Sequence, residues 1–331
     1  MEILVTGCAG FIGFHLCQKL ISSGFSIVGV DNLSEYYNVE LKQNRLKILK
    51  TQKNFVNYQL DIQDFHRLKS VINSHNISKI VNLAAQAGVR YSIKNPKAYI
   101  DNNIRGFFNV IEACRSEKIQ HLIYASSSSV YGLNTKMPFS TVDRTDHPIS
   151  LYAATKKSNE LIAHSYSHLY GIPTTGIRFF TVYGPWGRPD MAYYLFAQKI
   201  MNDQPIRLFN RGKMRRDFTY ISDIIEGIFL VMNKPPEIKP KWNGNPSESS
   251  APYKIYNIGN SNPVELLYLI NVLEKTLGKK AAKEFLPMQP GDVHQTYADV
   301  DDLVIDVGFK PSTTIDQGVT EFAEWFKWYH N

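Results

Sequence analysis

The sequence predicts an α/β fold: a doubly wound parallel sheet, followed by a smaller C-terminal α/β substrate-binding unit. Three observations carry this. Short apolar, β-branched runs alternate with stretches of helical periodicity as far as residue 178. Those runs are nearly continuous in apolar residues, as strands covered on both faces are. A glycine-spaced turn follows the first run directly, where a strand must reverse into a helix.

Taken in order, "EILVTG" (2–7), "SIVGVD" (26–31), "FVNYQLD" (55–61), "KIVNLAA" (79–85) and "HLIYASS" (121–127) read as strands. Between them, "FHLCQKLISSG", "VELKQNRLKILK", "FHRLKSVINSH" and "YIDNNIRGFFNVIEACRSEK" repeat apolar residues at the helical period. That alternation is the pattern of right-handed βαβ units. Past residue 178 the order loosens. Helices are expected near 191–202, 221–233, 263–277 and 315–330, with short strands near 206–209 and 255–258. The stretch 234–254, with five prolines and many small polar residues, reads as a mobile loop, with recognisable elements on either side.

Composition narrows the function classes. The chain of 331 residues carries 37 Lys and Arg against 30 Asp and Glu, a net charge of +7, and its basic residues form no dense run. A scattered basic surface argues against nucleic acid and suits an anionic small molecule. Cys8, Cys17 and Cys114 form neither a metal-ligand pattern nor a disulfide framework, so a reducing compartment and no bound metal are expected. The first residues lack the apolar core of a signal peptide and no run of about 18 apolar residues occurs, so no membrane partner is expected and the location is read as cytoplasmic.

"LVTGCAGFIG" places Gly7, Gly10 and Gly13 between the first strand and a helix that starts near Phe11 and Ile12. Glycines there let the backbone approach a pyrophosphate, and the helix aims its amides at the phosphates. Asp31 ends the second strand, 18 residues past Gly13, followed by Asn32. A carboxylate at that place accepts from ribose hydroxyls and repels a 2′-phosphate, which selects NAD over NADP. Asp61 and Ile62 lie where an adenine would sit, Leu83, Ala84 and Ala85 leave room for the cofactor, and Asn102 is a further candidate contact.

"SLYAATKKSNE" sets Tyr152 and Lys156 four residues apart, on one face of a helix. A lysine there, with a positive nicotinamide, can lower the phenol pKa until it serves as a base. "YASSSSVYG" brings Ser127, Ser128 and Ser129 out of the fifth strand at its carboxyl end, the side on which such sheets bind ligands.

These three motifs in this order resemble the extended short-chain dehydrogenase/reductase family. Within it the chain resembles nucleotide-sugar epimerases over its full length. The segments "AAQAGVRYS", "RFFTVYGPWGRPDMA", "GKMRRDFTYI", "SAPYKIYNIGNSNPVEL" and "QPGDV" are most similar to UDP-glucuronate 4-epimerases. The resemblance implies a Rossmann-like NAD domain over 1–180 and a UDP-sugar domain over 181–331, with some later segments returning to the first. It implies that Ser127, Tyr152 and Lys156 are catalytic, and that Arg216 and Asp292 contact the UDP phosphate and ribose. Phe209 would stack on the uracil. Thr181 stands where UDP-galactose 4-epimerases carry asparagine, so interconversion of UDP-glucose and UDP-galactose is the alternative activity; a non-catalytic NAD-sensing regulator is a more distant one. Ser128 and Ser129 stand where related dehydratases and decarboxylases carry acidic residues. A homodimer paired through helices near 98–117 and 151–170, and a place in polysaccharide biosynthesis, are further implications. Arg188, between Gly187 and Pro189, is the candidate group for fixing a glucuronate carboxylate, with Thr181 and the 127–129 hydroxyls assisting.

Overall fold

The apolar runs fold as parallel strands whose side chains divide between two sheet faces. A computed structural model of the chain describes residues 2–288 and 294–330. Its first half runs β1 (Glu2–Thr6), α1 (Phe11–Ser22), β2 (Ser26–Asp31), α2 (Val39–Leu49), β3 (Phe55–Gln59), α3 (Phe65–Asn73) and β4 (Ile77–Asn82). Then come α4 (Val89–Lys94), α5 (Pro96–Tyr99), a π-helical stretch (Ile100–Gly106), α6 (Phe107–Ser116), β5 (His121–Ser127), a 3₁₀ turn (Ser128–Tyr131), α7 (Leu151–Tyr170) and β6 (Thr174–Phe179). Ile3, Val5, Val81, Ile123 and Ile177 face one apolar cluster, with Phe14 of α1. Leu4, Val28, Ile80, Leu122 and Tyr124 face the other, with Leu68 of α3 and Val110 of α6. The period-2 alternation of a strand therefore fills two cores at once.

The second half contains β7 (Thr181–Tyr183), α8 (Ala192–Met201), β8 (Ile206–Leu208), a 3₁₀ turn (Phe209–Gly212), β9 (Arg215–Tyr220), α9 (Ile221–Met232) and β10 (Tyr253–Ile258). It ends with β11 (Pro263–Glu265), α10 (Leu266–Leu277), β12 (Lys283–Phe285), α11 (Asp301–Val307) and α12 (Ile315–His330). The seven-stranded sheet has the order β10-β6-β5-β4-β1-β2-β3, with every pairing parallel. The chain thus returns at residues 253–258 to complete the first sheet. Two small sheets, β11-β9-β7 and β12-β8, form the smaller unit. Phe218, Leu269, Leu273 and Phe322 of that unit join the same apolar cluster as Val5 and Phe14.

Three expectations shift. The helix anticipated over 263–277 gives its first three residues to β11, because Val264 pairs with Arg216 in a ladder that only tertiary contact supplies. The long helix expected around 98–117 is divided by the π-helical stretch, a feature found mostly at functional sites. The 234–254 segment is tied down: Ser247 is fully buried, its carbonyl accepts from the Ile255 N–H at 2.7 Å, and the Lys239 N–H donates to the Ser250 carbonyl at 3.1 Å. Its prolines and polar residues build a folded loop with its own hydrogen bonds.

Candidate active site

The strand order reverses between β1 and β4, and the crevice beyond their carboxyl ends is where a doubly wound sheet takes its ligand. A cavity of about 780 Å³ opens there. Its first wall is the turn after β1. Gly7 adopts φ +72°, and a Cβ on it would lie 2.9 Å from the Ala84 nitrogen, so the β1 and β4 turns touch only because this residue has no side chain. A Cβ on Gly13 would meet the Gly7 carbonyl oxygen at 2.1 Å, so α1 can start this close to the turn only as glycine. Gly10, Phe11 and Ile12 line the same wall, as do Leu83, Ala84 and Ala85.

Asp31 closes this wall. One of its oxygens accepts the Ala9 N–H at 3.0 Å and the other the Leu33 N–H at 2.8 Å. Burial raises its pKa; those two N–H groups, Lys42 and Arg45 oppose the rise. Asn32 donates to Asp61 at 2.9 Å, and Gln63 joins Asp61 to Asn102, so these candidates form one hydrogen-bonded rim with Ile62 beside it. Asn102 belongs to the π-helical stretch and donates to the Ala98 carbonyl. The glycine turn before α1, the carboxylate at the end of β2 and the cavity they line fit a dinucleotide.

The second group stands opposite. Ser127 is the last residue of β5, and Tyr152 and Lys156 lie in the first two turns of α7, which the Ser150 hydroxyl caps by accepting the Ala153 N–H. Burial raises the Tyr152 pKa, against a hydrogen bond from Ser127 and the charge of Arg188, which both lower it. Lys156 is expected to lower the phenol pKa through its charge. Its ammonium donates to the Ala125 carbonyl at 2.8 Å, and burial pulls its pKa down to about 8. Beneath them lies a fully buried ion pair. Arg178 of β6 grips Glu160 of α7 through two bonds of 2.8 and 2.9 Å, and Ser126 donates to the same carboxylate at 2.7 Å. It ties the strand end bearing Ser127 to the helix bearing Tyr152. Removing one partner of such a pair typically costs about 3–5 kcal/mol.

Ser128, Ser129, Thr181, Arg188, Phe209 and Arg216 also line the cavity; Asp292 lies outside the described residues. The Arg90 guanidinium rests 4.9 Å from the centre of the Phe209 ring. Arg188 was expected to present its whole fork to a ligand. Two of its nitrogens are engaged by Asp190, at 3.0 and 2.5 Å, while Tyr36 donates to Asp190 at 3.0 Å. Its pKa lies well above the ordinary arginine value because of Asp190, despite burial. The sequence reasoning missed Tyr36, Lys42, Arg90 and Asp190, all on the cavity wall. For Asp190 a signal existed: an acid two residues after an arginine in a proline-fixed turn is placed to pair with it.

The fold and the site together define a dinucleotide-dependent enzyme of the extended short-chain dehydrogenase/reductase class. Comparison with known proteins agrees. Residues 3–259 match the model of the NAD dependent epimerase/dehydratase family, and the chain belongs to that family. It is 46% identical to a "Probable UDP-glucuronate 4-epimerase" of Rhizobium meliloti, over 98% of this chain and 97% of that protein. It is 44% identical to UDP-glucuronate 4-epimerase 3 of Arabidopsis thaliana, over 100% of this chain and 77% of that protein. Among solved structures, the UDP-glucuronic acid 4-epimerase of Bacillus cereus, in complex with UDP-glucuronic acid and NAD, superposes with a TM-score of 0.87 at 33% identity, over 99% of this chain and 100% of that one.

Proposed function

We propose that the protein epimerises UDP-glucuronate at C4 to UDP-galacturonate through a transient 4-keto intermediate. One observation carries this reading: Ser127, Tyr152 and Arg188 line the same cavity as the glycine turn and Asp31, so the proton-transfer site and a fixed cation face one bound molecule. The relatives' names support it.

Gly7, Gly10, Gly13 and Asp31 would hold NAD, which would supply the hydride acceptor and donor for C4. The chain's residues do the rest. Tyr152 takes the O4 proton and gives it back, with Ser127 sharing its hydrogen bond with the same oxygen. Lys156, held by the Ala125 carbonyl, keeps a positive charge at the base of the phenol's helix below pH of about 8.

A ketone at C4 makes the glucuronate a β-keto acid. If its C5–C6 bond aligns with the carbonyl, that bond breaks, its electron pair moves through C5 into the C4 carbonyl, CO₂ leaves and a proton adds at C5. Arg188, Thr181 and the 127–129 hydroxyls hold the carboxylate out of this alignment. Asp190 takes one edge of the Arg188 fork, so Nη1 is the group left to face the sugar. Ser128 and Ser129 provide no acid or base for dehydration or decarboxylation. Phe209, Arg216 and Asp292 serve the uridine diphosphate. Thr181 disfavours the UDP-glucose/UDP-galactose alternative, and Tyr152 with Lys156 in place disfavours an NAD-sensing regulator.

Exposed apolar residues on the paired helices, Phe108 at 45% and Leu161 at 59%, support a homodimer formed through α6 and α7. Three buried free thiols support a cytoplasmic location, and a uronic-acid product suits polysaccharide biosynthesis. The deciding experiment is incubation of the purified protein with UDP-glucuronate and identification of the sugar formed. UDP-galacturonate is expected; turnover of UDP-glucose alone would replace the reading with the alternative.

A further inference from the structure

Arg45 lies on α2 with no exposed surface, among Leu41, Leu46 and Leu49, which are buried as apolar residues should be. A charge in that position is expensive to desolvate, and an apolar side chain of similar size would fill the space. Its contacts give the reason for its presence. Nη1 donates to the Ala9 carbonyl at 2.8 Å and to the Tyr37 hydroxyl at 3.0 Å. Nη2 donates to the Trp186 carbonyl at 2.5 Å and to the Gly187 carbonyl at 3.3 Å. Ala9 stands inside the glycine turn, and its N–H is held by Asp31. Trp186 and Gly187 are the two residues before Arg188. A single planar guanidinium therefore joins the dinucleotide turn to the loop that presents Arg188, a geometry that lysine's point charge does not reproduce. The loop needs holding: Trp186 has φ 59°, an uncommon backbone state for a bulky residue.

We propose that Arg45 is a positioning residue for the reaction: it fixes the 186–188 turn against the dinucleotide turn and so sets where the Arg188 guanidinium lies. The product readout below rests on the carboxylate-holding role of Arg188 proposed above; the binding readout does not.

The test is a double-mutant cycle of Arg45→Lys and Arg188→Ala on the NAD-bound protein. Four quantities are measured: bound NAD per chain, thermal midpoint, the Kd for UDP-glucuronate by calorimetry, and CO₂ released per turnover. Arg45→Lys is expected to weaken UDP-glucuronate binding on the order of tenfold in the wild-type background and to change it little once Arg188 is gone, since misplacement by an ångström is enough for such losses. It is also expected to release CO₂ as Arg188→Ala does. Equal weakening in both backgrounds, or none in the wild-type background, overturns the proposal and leaves Arg45 as a core residue, whatever happens to the thermal midpoint or the NAD content. If Arg188→Ala epimerises without CO₂, the carboxylate-holding reading fails by itself, and the Kd cycle still decides the role of Arg45. Should Arg45→Lys not fold, Arg45→Met, which buries no charge, carries the same cycle.

Discussion

The two walls of the cavity are built in opposite ways. The cofactor wall is assembled from neighbours: Gly7, Gly10 and Gly13 within one turn, and Asp31 at the end of the next strand, reaching back to Ala9. The substrate wall around Arg188 is held from three distant places. His15 of α1 bonds the Pro185 carbonyl at 2.9 Å, and Arg45 of α2 takes the next two carbonyls. The Trp186 ring packs on Phe14, and on Trp325, Trp328 and Tyr329 of α12 at the far end of the chain. His15 stays neutral in this role, its pKa pushed down to about 4 by burial. A local wall needs glycines, because the backbone itself is the ligand surface. A remote wall needs aromatic rings and a buried guanidinium, because it must place one side chain against a reacting sugar. This is why residues 178–192 carry so many aromatic residues and prolines.

The sharpest break falls between the walls. Tyr152→Phe removes the proton acceptor and keeps the ring that packs edge-on against Tyr99. Turnover is expected to fall by at least ~10²-fold with NAD still bound. Wild-type activity in this variant would end the assignment of the base.

Trp186→Ala should separate the walls. It empties the aromatic cage and should destabilise the protein by about 2–4 kcal/mol, read from denaturant midpoints. NAD content should hold while CO₂ appears during turnover of UDP-glucuronate. Loss of NAD without CO₂ would show that the walls are not independent.

The cofactor wall is tested by Asp31→Ser. The variant should bind NADP more tightly and NAD more weakly, closing a gap of on the order of 1–3 kcal/mol in preference, measurable by titration of each dinucleotide. Equal binding of both by the unmodified protein would remove Asp31 from this role.

The smallest effect on stability concerns Lys156, whose ammonium is buried. Its folded pKa, about 8, lies below the ordinary 10.5, so the unfolded chain holds more protons between those values and stability rises with pH across that window. Below it the buried charge is a standing penalty. Lys156→Met should therefore inactivate the enzyme yet stabilise the empty protein at pH 7 by roughly 1–3 kcal/mol. The advantage should shrink as pH rises from 8 towards 10.5. An advantage that does not change with pH would point to packing instead.

Much of the cofactor wall was legible in the sequence because it depends on residues close together in the chain. A glycine turn after an apolar run, an acid ending the next run and a Tyr-Lys pair at helical spacing are short-range patterns. The π-helical stretch that carries Asn102 left no such mark, since its periodicity departs from the helical one by a single residue. The hold on Lys156 left no mark either: that its ammonium meets the Ala125 carbonyl depends on how α7 lies against β5.

By itself, then, the sequence determined the parallel sheet, the dinucleotide turn and the placing of Tyr152 and Lys156 on one helix, through periodicity and spacing that need no partner further along the chain. Only the tertiary structure decided that residues 253–258 return to the first sheet, and that Arg45 and α12 hold the loop in place. Those contacts join residues up to about 140 positions apart. No local preference encodes such a pairing; it is selected only when the apolar faces of the sheet and the helices have closed on one another and brought the buried donors and acceptors within reach.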